Sequence, residues 1–247
     1  MNVKLTAYTP DPVRVMEEAA STCYDSQPSA DGKIINACYQ SGHHSVLEHA
    51  SFTFLISGVS RALLAQLTRH RVGVAFSVRS QRYCLEVGKP TAKHPDDRFE
   101  RSKDNPLDFE YVVPPSIASD PHASDTFRSV MKSLAGCYVA LVGLGIPQED
   151  ARFVLPNACA TTITCTMNMR ELIHFCNERL CSRAQWEIRA LAKAMADEVI
   201  GVMPMAKNWL VPKCEKNARF PFCPERECCG RHPKLSACYY RDGAERE

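Results

Sequence analysis

Apolar positions along this 247-residue chain alternate between strand-like and helix-like spacing, and the switches between them mark out the elements. Val3–Tyr8 predicts a short first strand. Asp11-Pro12 ahead of Val13, Val15 and Met16 predicts the first helix, with an acidic cap and proline in its opening turn. Ile34, Ile35 and Cys38 share a face of a second helix over 32–41, which stops at Gly42. The β-rich run Ser51-Phe-Thr-Phe-Leu-Ile56 ends at Ser57-Gly58 and feeds a helical segment, 60–68, in which Leu63, Leu64 and Leu67 recur. From Gly88 to about Asp125 the chain turns polar and proline-rich. It reads there as a long surface excursion, open to interpretation as a lid or as a solvated loop carrying Asp96, Asp97, Arg98, Glu100, Arg101 and Lys103.

The second half is more regular. Ser124-Asp125 offers a cap for a core helix running to Gly143, with Phe127, Val130, Met131, Leu134, Tyr138 and Leu141 at helical period. Ile146-Pro147 starts a short helix with acids at its positive end, and Phe153-Val-Leu-Pro156 stops it. Thr161–Met167 alternates hydroxyl and apolar residues, which predicts a strand with one wet face. Asn168 then caps a helix to about Leu180 that buries Leu172, Ile173 and Cys176 and turns Arg170 and His174 elsewhere. A last helix follows Arg183-Ala-Gln-Trp-Glu187 and runs through Met203, with Ile188, Leu191, Met195 and Val199 in the core and Trp186 as packing.

Composition narrows the class. With 45% hydrophobic and 23% charged residues, the chain has enough apolar material for one large domain or two small ones and reads as soluble and globular. The N-terminus lacks the apolar core of a signal peptide, and no apolar run approaches the ~20 residues needed to span a bilayer, so we expect no membrane partner and a cytoplasmic location. A net charge of +2 means that basic residues are concentrated locally and that no nucleic acid is required as a partner. Thirteen cysteines, an odd number, point to reduced thiols or metal ligands. Cys214, Cys223, Cys228, Cys229 and Cys238 with His232 make the tail rich enough in thiols for a zinc knuckle, although it has no clean C-x-x-C pairs; elsewhere no metal is expected.

The local concentration of charge lies in residues 66–83. Arg69, His70 and Arg71 close the helix that Leu63, Leu64 and Leu67 define, and Ser77, Arg79, Ser80, Gln81 and Arg82 follow at once. Cations at a helix C-terminus compensate its dipole, which accounts for one or two of them. The rest present forked guanidinium donors and hydroxyls suited to phosphate or a pyrimidine edge, against the alternative of a solvated basic face. A second dense stretch, Gly42-His-His-Ser-Val-Leu-Glu-His49, contains Ser45-x-x-Glu48, a capping-box pattern that would start a helical turn and aim its first amides at a ligand. Its three histidines also raise metal binding, but His44 and His49 lack a partner cluster.

Arg69-His-Arg71 followed after eight residues by Ser80-Gln-Arg-Tyr83 resembles the signature of flavin-dependent thymidylate synthases, whose gap is one residue shorter. The likeness extends to His43-x-Ser45-x-x-Glu48-His49, Ala151–Pro156, Asn168-Met-Arg170 and Arg179–Glu187, and so covers most of residues 1–210. It implies an α+β domain over 1–210, a single domain of mixed sheet and helices, with an irregular Cys-rich tail over 211–247. It also implies reductive methylation of dUMP to dTMP, with 5,10-methylenetetrahydrofolate as carbon donor and NADPH-reduced FAD as hydride source, in a homotetramer with shared sites. By resemblance, His43, Ser45, Glu48, Arg69, His70, Arg71, Asn168, Arg170 and His174 hold FAD. Gln66, Arg69, Ser80, Gln81, Arg82 and Arg152 hold dUMP, and Arg179 lies against the uracil as the catalytic residue.

The chemistry of the residues agrees with that implication. Three anionic molecules need fixed donors, which arginine supplies. Ser80 has no local base to make it a nucleophile, and no cysteine stands in the Pro-Cys-His context of the other thymidylate synthase class. FAD rests on the resemblance alone, because no Gly-x-Gly-x-x-Gly follows a strand. Two rivals differ in class: a zinc-tailed nucleic-acid-binding module, which lacks aromatics to stack bases beside the arginines, and a nucleotide-binding flavoprotein oxidoreductase that does not methylate.

Overall fold

The computed structural model describes residues 1–23, 25–86, 109–217 and 219–235. Four strands, β1 (Asn2–Tyr8), β2 (Ser51–Ser60), β3 (Val74–Val78) and β4 (Ala160–Asn168), form one sheet in the order β1-β2-β4-β3. The helices are α1 (Pro12–Thr22), α2 (Lys33–Gln40), α3 (Arg61–Leu67), α4 (Pro115–Ala118), α5 (Pro121–Gly143), α6 (Gln148–Ala151), α7 (Met169–Arg179) and α8 (Trp186–Val202). The architecture is the mixed α+β class expected. None of the described helices is long and apolar enough to cross a membrane.

Most boundaries follow from local chemistry. Asp11 accepts the Arg14 amide at the start of α1, Ser60 accepts that of Leu63 at the start of α3, and Asn168 accepts that of Glu171 at the start of α7. Three boundaries depart from the sequence reading. β2 does not stop at Ser57-Gly58; Gly58 takes a positive φ of 66° and the strand continues to Ser60, because glycine tolerates the local distortion. α5 starts earlier, at Pro121, since Asp120 accepts the Ala123 amide at 3.0 Å and a proline fits the first turn, so Ser124-Asp125 is already helical. β3 was not anticipated: five residues with alternating partial burial carry too weak a period to stand out. Of the polar excursion after Gly88, residues 109–120 form an isolated bridge, Tyr111 to Cys159, and α4, while the charges from Asp96 to Lys103 lie outside the described residues.

The residues group into two compact units. The first comprises Met1–Asn2, Leu55–Arg69 and the described residues of Phe76–Thr164. A cluster of Phe109, Met131, Ala135 and Cys159 forms part of its core, with Tyr111, Phe127, Leu134 and Leu155 packed against it. Here α5 buries only a stripe, Met131, Ala135 and Tyr138, whereas Val130 is 47% exposed, so the helix is half the core element that its period implied.

The second unit comprises Val3–Phe54, His70–Ala75 and the described residues of Cys165–Glu247. Met16, Ile35, Leu47, Leu172, Phe175, Leu191 and Met195 are fully buried in it. Glu17, also fully buried, accepts the Ser29 amide at 2.9 Å and the Ile35 amide at 3.0 Å, and so serves the first turn of α2, whose own cap residue is glycine.

Candidate functional site

In the second unit the chain builds its most constrained polar constellation where α7 begins. The Asn168 amide donates to Gly73 O at 2.9 Å and the Met169 amide to Ala50 O at 2.8 Å, which fixes the last residue of β4 against two other segments. Gly73 has a φ of 69°, and a Cβ there would sit 2.5 Å from Asn168 Nδ2. Only glycine lets the backbone pass so close to the cap.

His70 lies just before this turn and is buried. Its Nδ1 is 2.6 Å from Glu171 Oε1, and Arg179 Nε donates to its Nε2 at 3.1 Å. Because a guanidinium can only donate, Nε2 must carry the lone pair, and the ring proton therefore sits on Nδ1, facing the carboxylate. One helix thus supplies both ends of a Glu171–His70–Arg179 chain. Phe175 meets the His70 ring edge-on at 5.1 Å, and the exposed His174 ring lies 5.5 Å away. The ligand atoms of His70, Glu171 and His174 come within 4.8 Å of one another, a spacing that a metal could use. The Arg179 charge at the free face of His70 opposes a cation there, and the positioning reading is stronger.

The 42–49 stretch departs from its expected capping box. Residues His44–His49 form a 3-10 turn whose first residue has no side-chain cap, and Glu48 instead pairs with Arg170. Both partners are about half exposed, at 42% and 53%, so this pair is weak and exchangeable. His44 Nε2 donates to Tyr39 O at 3.1 Å and the ring stacks on that of Tyr39, which makes it structural. His43, Ser45, Arg71, Arg170 and His174 are exposed in the same unit.

The first unit holds the other predicted set. Gln66 is half-buried on α3, and Arg69 is exposed just beyond the Thr68 cap. Ser80 Oγ accepts the Arg82 amide at 3.1 Å, and Gln81 Nε2 lies 3.6 Å from Cys159 Sγ. Glu149 draws two arginines together: its carboxylate takes Arg82 Nε at 3.0 Å, and its carbonyl takes Arg152 Nε at 3.0 Å. Arg79 has a different fate. With Arg61 it flanks the buried Glu86, at 3.7 and 3.9 Å, and both guanidinium groups also hold main-chain carbonyls. Burial pushes the Glu86 carboxyl up and the Arg61 guanidinium down from their usual ranges, with each charge partly offsetting the cost to the other.

The family model described as thymidylate synthase complementing protein matches residues 4–205. A flavin-dependent thymidylate synthase of Geobacter sulfurreducens is 43% identical over 250 residues, covering 97% of this chain and 98% of the relative. The chain belongs to the flavin-dependent thymidylate synthase family. Another such synthase, of Pyrococcus furiosus, is 36% identical over 92% of this chain and 91% of its own. Among solved structures, flavin-dependent thymidylate synthase ThyX of Helicobacter pylori, complexed with FAD and dUMP, superposes with a TM-score of 0.65 at 27% identity, over 83% of this chain and 97% of that one.

For a flavin-dependent thymidylate synthase chain, what the sequence reading missed is the set of carboxylates. Glu171, Glu149 and Glu86 each engage an arginine or histidine of the motifs, or their neighbours. Glu171 stands three residues after its cap and Glu149 in the first turn of α6, and both positions look like ordinary dipole acids. The tail residues Cys214, Cys223, Cys228, Cys229 and His232 lie in the second unit, and Cys238 falls outside the described residues.

Proposed function

We propose that this chain catalyses the reductive methylation of dUMP to dTMP, taking its carbon from 5,10-methylenetetrahydrofolate and its hydride from FAD that NADPH has reduced. The observation that carries the reading is the Glu171–His70–Arg179 chain: a buried carboxylate sets a histidine tautomer, and the histidine holds a guanidinium at fixed angle. A preorganised guanidinium against the pyrimidine polarises its carbonyl and stabilises the negative charge that develops as the ring is activated, without itself losing a proton.

The donor set fits a flavin diphosphate. His43, Ser45, Arg71, Arg170 and His174 are exposed, and all but the serine can carry positive charge. When bound, FAD supplies the hydride. We assign His43, Ser45, Glu48, Arg69, His70, Arg71, Asn168, Arg170 and His174 to holding it, with Asn168 acting through the α7 cap and Glu48 by tethering Arg170. Gln66, Arg69, Ser80, Gln81, Arg82 and Arg152 bind the dUMP phosphate and sugar. Ser80 Oγ is occupied as an acceptor for the Arg82 amide, which suits binding better than nucleophilic attack. Burial pushes the Cys159 and Cys165 thiols up to about 12, so neither supplies a thiolate near neutrality, in keeping with a route that needs no enzyme nucleophile.

The homotetramer draws support from apolar side chains that this chain leaves bare in its first unit: Val130, Leu144 and Phe153, the last two about four-fifths exposed. We place the enzyme in the cytoplasm, where its nucleotide and folate substrates are made. The test is to record the visible spectrum of the purified protein, add dUMP, methylenetetrahydrofolate and NADPH, and follow dTMP by chromatography. Bound flavin with dTMP supports the reading, flavin without dTMP favours a non-methylating oxidoreductase, and neither sinks it.

A further inference from the structure

Between Lys216 and Leu235 the only buried residue described is Cys223, so this segment has no apolar core of its own to hold its course. Short segments of that kind are ordered by covalent or metal staples. The side chains that converge here are metal ligands. Cys214 Sγ, a Glu215 carboxylate oxygen and a His232 ring nitrogen all lie within 4.8 Å of one another. A cavity of about 10 Å³, the scale of a single atom, is lined by these cysteine and histidine side chains together with Cys181, Cys223 and Cys229.

Details of the geometry favour a cation over a packed thiol cluster. Cys228 Sγ donates to His232 O at 2.9 Å, which fixes the main chain that carries the His232 imidazole. Glu215 Oε1 sits 3.3 Å from His232 Nε2, where a carboxylate either orients the imidazole or takes the metal itself. Lys213, Arg183 and Arg231 also line the cavity, but each is paired, with Glu225, Glu227 and Glu215 respectively, so sulfur and imidazole are the uncharged donors that face it.

We propose that residues 213–232 form a zinc-binding knuckle in which Cys214 and His232 are ligands and two thiolates from among Cys181, Cys223 and Cys229 complete the set of four. Ligands of a tetrahedral zinc stand about 3.3–3.8 Å apart, so Cys214 and His232, which lie within 4.8 Å of each other, meet one ion with movements of about 1 Å. Each ligating thiol gives up its proton, so uptake of Zn²⁺ releases protons and is weakened by acid. Cys181 stands two residues after Arg179, at the end of α7, and the metal would therefore tie the tail to the helix end that carries the arginine.

The full-length protein, purified with reductant, tests this. Elemental analysis should find about one zinc per chain, released when the thiols are modified. Cobalt substitution should give the thiolate-to-metal band and the intense visible bands of a tetrahedral site. C214S and H232A should each lose most of the metal, while H174A, which alters the separate His70–Glu171–His174 group, should keep it. Should either tail variant fail to fold, chelation of the wild type gives the same information: its melting temperature should fall and return with Zn²⁺. The proposal is overturned if the zinc-reconstituted wild type holds under a tenth of an equivalent. It is equally overturned if non-reducing mapping finds these cysteines paired as disulfides, or if H174A and not C214S loses the metal.

Discussion

Replacing Glu171 by glutamine keeps the side-chain shape and removes one charge from the Glu171–His70–Arg179 chain. The carboxylate is buried and its 2.6 Å bond to His70 Nδ1 is charge-assisted. Bonds to charged groups contribute about 1.5–3 kcal/mol against about 0.5–1.5 for neutral ones, so the substitution costs about 1–1.5 kcal/mol if the amide oxygen still accepts. An amide can also turn its NH₂ toward Nδ1. The ring proton then moves to Nε2 and faces Arg179 Nε–H across 3.1 Å, two donors with no acceptor between them, and the loss rises to about 3 kcal/mol. Each 1.36 kcal/mol of transition-state stabilisation is tenfold in rate, so a loss of this size in the placement of Arg179 lowers kcat about five- to 150-fold. Urea denaturation reports the stability, and initial rates of dTMP formation report kcat apart from the KM for dUMP. A variant with wild-type stability and kcat within about twofold of normal would refute the positioning role.

Three further outcomes follow from the geometry. Gly73→Ala should destabilise by about 2–3 kcal/mol, from the left-handed φ and the displaced α7 cap. Asn168→Ala alone should cost about 1 kcal/mol. Because removing Asn168 also removes the clash, the double variant must cost less than the sum in chemical denaturation, and strict additivity would show that the contact is not the cause. Cys159 and Cys165 hold their protons up to about 12 when folded, against 9.0 for an ordinary thiol. Their contribution is full below pH 9 and is lost as pH rises, because the unfolded chain then releases protons that the folded chain keeps. Unfolding free energy should fall by about 1.4 kcal/mol per pH unit for each thiol, and Cys165→Ala should reduce that slope by one proton in urea titrations across the alkaline range. Glu149→Gln should lower the KM for dUMP by up to about fivefold, since it removes a competitor worth about 0.2–1 kcal/mol for Arg82; a raised KM would mean that Glu149 orients the arginine for the substrate.

Much of the fold was legible because its signals are local. Asp11 and Asn168 announce their helices through chemistry that acts within three residues, and Leu172, Ile173 and Cys176 or Ile188, Leu191 and Met195 carry a period that any burial would produce. What escaped depends on partners far away in sequence. Glu48 has the spacing of a capping box but is claimed by Arg170, 122 residues on. Glu171 looks like a first-turn acid, and its bond to His70 spans 101 residues. Val74–Val78 becomes a strand through pairing, not through its own five residues. In the motif segments, then, sequence identified which side chains are chemically equipped and could not say to which group each is tied.

That tie decides which arginines are available to an anion. Arg82 and Glu149 are both about half exposed, so their pair is worth less than a charge-assisted bond to a phosphate, and a phosphate can displace the carboxylate. Arg170 and Glu48 stand in the same position. Arg79 and Arg61 do not, because Glu86 between them has only 3% of its side chain exposed and would keep only one of its two compensating charges if either turned away. Of the arginines crowded into residues 69–82, Arg79 is therefore fixed in the scaffold by burial, while Arg69, Arg71 and Arg82 remain exposed and free to exchange partners. A cluster that sequence presents as one basic patch divides into a structural member and three that can meet a substrate.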